Sequence, residues 1–80
     1  MEKLTLYEVY GEDTGCYPVH RGTFIDLKDA CKYAVANSGK IAYGLPEVSC
    51  VTWSYDRENQ EITSTRNRIE ISQIYYMNSI

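Results

Sequence analysis

The sequence contains few of the residues that most often carry chemistry. Its 80 residues include one histidine and three cysteines, and no Cys-x-x-Cys pair provides a nucleus for a tetrahedral metal site. A cysteine nucleophile needs a nearby base, but on an extended strand Cys16 and His20 would lie about 13 Å apart. The five glycines fit neither the dinucleotide-binding pattern nor the P-loop. We therefore expect no catalytic residue, no metal site and no cofactor, and a protein that is not an enzyme.

Long apolar runs are also missing. No run approaches the roughly 18 residues that a membrane span requires, and Glu2 and Lys3 interrupt the N-terminus before a secretory signal can form. The three cysteines are widely spaced and odd in number, so a disulfide framework would leave one thiol over. Free, reduced thiols are the simplest interpretation. These features predict a cytoplasmic protein that makes no contact with a membrane.

Basic residues are not in excess. Eight Lys and Arg stand against eleven Asp and Glu, for a net charge of −3, whereas nucleic-acid-binding domains usually carry a basic stripe. Direct nucleic-acid binding is therefore disfavoured. The alternative function, a small nucleic-acid-associated or regulatory protein, requires three scattered arginines to cluster with tyrosines on one face. These arginines are Arg57, Arg66 and Arg68.

Tyrosine is the abundant aromatic residue, with eight copies against one Phe and one Trp. Its apolar body and polar tip suit half-buried positions in a sheet, and tyrosine is also enriched at protein interfaces. Hydrophobic residues make up 44% of the chain and charged residues 24%, which is typical of a folded protein. The length and this balance predict one domain over residues 1–80.

The first part of the chain predicts an antiparallel hairpin. Residues 4–10 are rich in strand formers. Residues 11–15 combine two glycines with an acidic pair, which is strong turn chemistry. Tyr17–Phe24 is the expected second strand, and Pro18 near its start favours an edge position because proline lacks an N–H group.

A helix is expected from Asp26 to about Ser38. Asp26 can accept hydrogen bonds from the free N–H groups of the first turn, and Gly39 suits the left-handed position after the last turn. Apolar residues recur with helical spacing and form one stripe that we expect to pack on the sheet. This stripe consists of Leu27, Ala30, Cys31, Ala34 and Val35.

The second half predicts further strands. Residues 48–55 form the expected third strand, and residues 56–60 form a polar turn. Residues 61–76 are expected to be extended, either as one strand or as two. The fold class is therefore α+β, with a small antiparallel sheet of four to five strands and one helix packed on one face, in the order β-β-α-β-β.

The third strand leaves two possibilities for the open face of the sheet, because side chains alternate along a strand. One face carries Ser49, Val51, Trp53 and Tyr55. The other carries Val48, Cys50, Thr52 and Ser54. We expect the helix to cover the face with Trp53. Under the alternative, Trp53 is open to solvent and becomes a candidate hot spot for a partner.

This organisation, a small acidic chain with a hairpin, a helix and a second hairpin, is similar to that of many accessory proteins of phages and mobile elements. Some of these, including certain anti-CRISPR proteins, are stoichiometric inhibitors of a larger complex. The similarity concerns topology alone. It implies a non-enzymatic protein-binding module that acts on a nucleic-acid-processing complex. Apart from this similarity, a second copy of the chain is a further candidate partner, which would make the protein a homodimer.

The expected contact surface combines tyrosines with the acidic turn, whose charge would meet a basic groove on the partner. Its candidate residues are Tyr10, Glu12, Asp13, Tyr17 and Tyr43.

Overall fold

The protein folds as a four-stranded antiparallel sheet with two helices. The computed structural model describes residues 2–13, 17–38 and 44–80, without the side chains of residues 12, 13, 17 and 18. The elements in chain order are β1 (Glu2–Asp13), β2 (Tyr17–Phe24), α1 (Leu27–Asn37), β3 (Glu47–Asp56), β4 (Glu61–Arg68) and α2 (Ile71–Ser79). In space the strands follow the order β2-β1-β3-β4. The predicted α+β class is confirmed. The sheet has four strands, and the protein has two helices where one was expected.

The hairpin of β1 and β2 is confirmed. The second strand has the predicted bounds, and the two strands pair from Tyr7 opposite Phe24 to Asp13 opposite Tyr17, with a shift of register between Val9 and Tyr10. The strand β1 therefore continues through positions that were predicted to turn. The remainder of the predicted turn, residues 14 and 15, lies outside the described residues.

Helix α1 begins where the sequence predicts. The backbone N–H of Lys28 donates to Oδ1 of Asp26 at 2.7 Å, so Asp26 caps the helix as expected. At the other end, the backbone N–H of Ser38 donates to the carbonyls of Ala34 and Val35 at 3.0 and 3.2 Å. The predicted cap at position 39 lies outside the described residues.

The prediction that residues 61–76 are extended is wrong for its second half. β4 ends at Arg68, and α2 then covers Ile71–Ser79. The N-cap residue Glu70 makes no side-chain capping bond, and the β-branched and aromatic residues of this segment have modest helix propensity. The helix is instead stabilised by tertiary packing, because Ile74 is only 1% exposed and belongs to the core formed with α1.

Both helices contribute to a core on one face of the sheet. Its buried members are Val9, Ala30, Cys31, Ala34, Val48 and Ile74. In the pairing of β1 with β3, Val9 lies opposite Val48 and Tyr7 lies opposite Cys50. The covered face is therefore the one that carries Val48 and Cys50. The expectation that α1 covers the face of Trp53 is therefore wrong, and Trp53 lies on the opposite, open face.

Helix α1 covers only part of the sheet on which it packs. An 11-residue helix is about 17 Å long, whereas a 12-residue strand such as β1 extends about 40 Å. The small side chains of Ala30 and Ala34 let α1 pack closely over the pair of Val9 and Val48, near one end of the sheet. The sheet therefore extends well beyond the helix at the end where β1 begins.

Cys31 should be the less reactive of the two described thiols. Both Cys31 and Cys50 are free, but Cys31 is buried and Cys50 is only half-buried. Desolvation raises the pKa of the Cys31 thiol, so both access and thiolate content are low. We expect a thiol reagent to modify Cys31 at least about tenfold more slowly than Cys50, measured by timed mass spectrometry of peptides. Faster labelling of Cys31 would contradict the packing of α1. Cys16, expected to label readily, lies outside the described residues.

Candidate functional site

The open face of the sheet, opposite α1, carries an exposed apolar patch. Its central residues come from three neighbouring strands: Leu4 is 55% exposed, Trp53 40% and Ile62 67%. In the sheet, Leu4 lies opposite Trp53 and Tyr55 lies opposite Ile62. Opposite side chains in an antiparallel sheet have Cβ atoms about 5 Å apart, so these residues form one continuous surface. We call Leu4, Leu6, Trp53, Tyr55 and Ile62 the apolar patch.

The apolar patch forms a shallow groove with a charged rim. Its lining also includes Glu2, Lys3 and Ser54. Glu2 accepts a hydrogen bond from the Arg57 guanidinium, and both side chains are more than half exposed. Such a surface ion pair adds little to stability, but it places both signs of charge beside the aromatic and aliphatic side chains. An apolar centre with a polar rim is the usual anatomy of a protein-binding surface.

The other half of the open face is a polar network centred on Glu8. The Tyr10 hydroxyl donates to Oε1 of Glu8 at 2.8 Å, and Arg66 donates both to that oxygen and to the Tyr10 hydroxyl, the latter at 3.0 Å. The Arg66 guanidinium also lies 5.6 Å from the centre of the Tyr10 ring. Arg66 on β4 therefore reaches across β3 to β1, which explains why Val51 below it is only 1% exposed.

His20 extends this network to β2. Its ring makes an edge contact with Tyr10 at a centroid distance of 5.6 Å. Its Nε2 lies 2.8 Å from the hydroxyl oxygen of Thr23. His20 is exposed, and its described contacts are an aromatic ring and a hydroxyl group. It is thus a surface histidine of the sheet.

The network sets the charge states of its members. Burial alone raises the pKa of Glu8, but hydrogen bonds from Tyr10 and Arg66 and the positive charge of Arg66 hold that pKa below its ordinary value. Burial and the hydrogen bond to Glu8 raise the pKa of Tyr10. The bond to Glu8 also raises the pKa of Arg66. At neutral pH the network is therefore a stable ion pair bridged by a neutral phenol.

The ion pair should make stability depend on pH. The folded pKa of Glu8 lies below its ordinary value of 4.5, so its contribution is complete above that value and is lost as pH falls through the folded pKa. We expect Glu8→Gln to lower the free energy of unfolding by about 1 kcal/mol at pH 7. The difference between wild type and variant should shrink as the pH falls below 4.5 and through the lowered pKa of Glu8, because the protonated carboxyl group no longer forms the ion pair.

Urea unfolding at several pH values measures this dependence. Glu58→Gln is the control, because Glu58 is exposed in the β3–β4 turn, away from the network, so its substitution should change the free energy of unfolding little at any of these pH values. A Glu8→Gln deficit that does not shrink over the whole acidic range in which the wild-type protein stays folded would contradict the ionised pairing of Glu8 with Arg66.

The structure describes only some of the contact residues that were predicted from the sequence. Tyr10 lies in the polar network. The backbones of Glu12 and Asp13 pair with β2 at the end of β1, but their side chains and that of Tyr17 lie outside the described residues, as does all of Tyr43. Glu12 and Leu4 are eight residues apart on β1, or about 26 Å. The acidic end and the apolar patch are therefore separate regions.

The three arginines of the alternative function do not form one cluster. Arg66 and Arg68 lie on the open face of β4, where they are ion-paired with Glu8 and with Glu47. Arg57 lies in the turn at the far end of β3, paired with Glu2. Each guanidinium thus has a carboxylate partner, which reduces its attraction for phosphate groups.

Two further observations concern metals and membranes. Within residues 2–13, 17–38 and 44–80, no three His, Cys, Asp or Glu side chains converge in a way that could hold a metal ion. Neither α1 nor α2 is long and apolar enough to cross a bilayer.

Comparison with known proteins adds no relative. No protein-family model matches the chain, and neither the curated proteins nor the solved structures include a significant match. The function must therefore be argued from the open face itself.

Sequence reasoning considered Trp53 but missed two central members of the apolar patch. Leu4 and Ile62 were assigned only to strands, with no face. The signal that could have found them is alternation: Leu4 and Leu6 share one face of β1, and Ile62 begins the same face of β4 opposite Tyr55. Alternation alone is not sufficient, because the register of β1, β3 and β4 decides whether these residues lie next to each other.

Proposed function

We propose that this protein is a non-enzymatic protein-binding module whose contact surface is the apolar patch. The observation that carries the proposal is the contiguous exposure of Leu4, Trp53 and Ile62 on three neighbouring strands. Contiguous exposed apolar surface on a small domain marks an interaction site, and tryptophan is the residue type most enriched in binding hot spots. The occupant is a protein surface that presents apolar side chains.

The charge pattern favours a protein over a nucleic acid as the partner. Arg57, Arg66 and Arg68 are each ion-paired within the chain, and the net charge is −3. Backbone recognition of nucleic acid relies on free cationic groups. The alternative, a nucleic-acid-associated protein that uses these arginines, has less support than protein binding.

The finer proposal is that binding inhibits a larger nucleic-acid-processing complex, in the manner of the phage and mobile-element proteins that this organisation is similar to. Glu12 and Asp13, together with Tyr10, Tyr17 and Tyr43, would form a second contact at the acidic end of β1, facing a basic groove. We place this role in the cytoplasm, where free thiols such as those of Cys31 and Cys50 are the ordinary state.

Affinity purification from host extract with the wild type and two variants as baits tests the proposal. The bait proteins are wild type, Trp53→Asp and Tyr76→Asp, the last a control because Tyr76 is 63% exposed on α2. We expect a protein that is retained by wild type and by Tyr76→Asp but lost with Trp53→Asp. Retention by all three baits would overturn the assignment of the surface.

Titration of that partner's activity tests the finer proposal. Inhibition should saturate near equimolar protein, because occupancy acts without turnover. Inhibition by sub-stoichiometric protein that grows with incubation time would indicate catalysis and contradict it.

A further inference from the structure

Among the strands that the structure describes, none pairs with the outer edge of β4. All eight residues of β4 are exposed, and the strand pairs with β3 in unbroken register from Glu61 to Arg68. An exposed edge strand presents free N–H and C=O groups that can pair with another strand. The opposite edge of the sheet, β2, is a poorer template, because Pro18 lacks an N–H group and the register with β1 shifts near Tyr10.

One hydrogen bond establishes which residues of β4 face outward. The backbone N–H of Ile69 donates to the carbonyl of Val48 at 2.8 Å, and the register places these two residues opposite each other, next to Arg68 and Ser49. Antiparallel pairs alternate between hydrogen-bonded and non-hydrogen-bonded. Odd-numbered residues of β4 therefore bond to β3. The even-numbered residues direct their N–H and C=O groups to the free edge, and they are Ile62, Ser64, Arg66 and Arg68.

We propose that a second copy of this chain pairs with that edge, antiparallel, about a two-fold axis through Thr65. An axis perpendicular to the sheet keeps the two open faces on one side, as a closed symmetric dimer requires. In this register Ser64 lies opposite the second copy's Arg66, and Ile62 lies opposite its Arg68. All four outward-facing residues of each copy then exchange hydrogen bonds, about eight in total.

Neighbouring registers are less favourable. An axis through Ser64 would use about six bonds, since the next outward position is Gln60, which lies in the turn with a φ of 52°. An axis through Arg66 also gives about six bonds and places two arginines directly opposite each other, which is destabilising. Only the register centred on Thr65 combines full use of the edge with separation of like charges.

The self-pairing is also compatible with the charge of the edge. Arg66 and Arg68 are ion-paired with Glu8 and Glu47 of their own sheet, which weakens the repulsion between two copies but leaves a cation directly opposite Arg66 unfavourable. In the dimer, each apolar patch gains the second copy's Arg68 beside Ile62. The two Ile62 residues lie about 20 Å apart along the strands, so one continuous face presents two patches.

Disulfide trapping tests the register. The pair of Thr65 with itself is non-hydrogen-bonded, with a Cα separation of about 4.5 Å, which a disulfide can span. Thr65→Cys should therefore form a covalent dimer under mild oxidation. Thr63→Cys is the control, since its two copies would lie about 13 Å apart, and wild type controls for the native cysteines. Equal trapping of Thr65→Cys and Thr63→Cys would overturn the register.

Sedimentation equilibrium, with no cysteine introduced into the chain, tests whether the dimer forms. Ser64→Lys places a cation opposite the second copy's Arg66 and should raise the dimer Kd at least about tenfold. Ser64→Glu, at the same exposed position, should leave the Kd unchanged or lower it. A single-chain mass for wild type throughout the concentration range, or an equal effect of both substitutions, would refute the dimer.

Discussion

Ile74→Ala should lower the free energy of unfolding by about 2–5 kcal/mol. Ile74 is among the largest fully buried side chains, and it packs with Ala30, Cys31 and Ala34 between the two helices. Its truncation removes buried apolar surface and leaves a cavity that small neighbours cannot fill. A domain of this size has a stability of only about 5–15 kcal/mol, so the variant should lose a large fraction of it. Urea unfolding followed by circular dichroism measures the change.

Tyr76→Ala is the matched control for this experiment. Tyr76 lies on the same helix but is 63% exposed, so its truncation should change the free energy of unfolding by less than about 0.5 kcal/mol. Similar losses for the two variants would mean that α2 does not pack through Ile74.

Trp53→Ala should have the largest effect on partner binding. Trp53 lies in the middle of the apolar patch, opposite Leu4 on β1. On the same face of β3 its neighbour is Tyr55, which lies opposite Ile62. Truncation of a tryptophan hot spot costs about 2–4 kcal/mol of binding free energy, which corresponds to an increase in Kd of roughly 30- to 1000-fold. Calorimetric titration against the partner recovered by wild type measures it.

The same substitution should have little effect on folding. Trp53 is 40% exposed, so we expect a loss of about 1 kcal/mol in the free energy of unfolding, well below that of Ile74→Ala. Weakened binding with preserved stability separates a contact residue from a structural one. A Trp53→Ala protein that unfolds like Ile74→Ala, or binds like wild type, would contradict this role.

Local signals were sufficient to predict the first half of the fold. The hairpin followed from the strand formers on either side of residues 11–15, although β1 continues to Asp13, further than the turn chemistry after Tyr10 predicts. The helix followed from the cap at Asp26 and from apolar residues at helical spacing, of which Ala30, Cys31 and Ala34 are buried. In these segments propensity, pattern and capping all favour the same structure.

The second helix could not be predicted in this way. Its N-cap, Glu70, makes no side-chain capping bond, and its sequence contains isoleucines and paired tyrosines that favour strands. It is helical because Ile74 is buried against α1, a contact between segments about 40 residues apart in sequence. Propensity is a weak prior that tertiary packing overrides.

The open face was also mispredicted, for a geometric reason. Alternation along β3 divides Val48 and Cys50 from Val51 and Trp53, but both sets are apolar enough to meet a helix. The choice depends on which side of the sheet α1 packs against, and it packs against Val9 and Val48. Trp53 therefore lies on the opposite face. The site therefore follows from topology and not from any local motif.

The most direct test of the open face as a binding surface is acrylamide quenching of tryptophan fluorescence. Trp53 is the single tryptophan of the chain, so its emission reports on the apolar patch alone when the partner's tryptophans are replaced or spectrally separated. In the free protein, acrylamide should quench this emission readily, and quenching should fall as partner is added, levelling off near one partner per chain. Unchanged quenching in a saturated complex would show that the partner binds elsewhere and would contradict the proposed function.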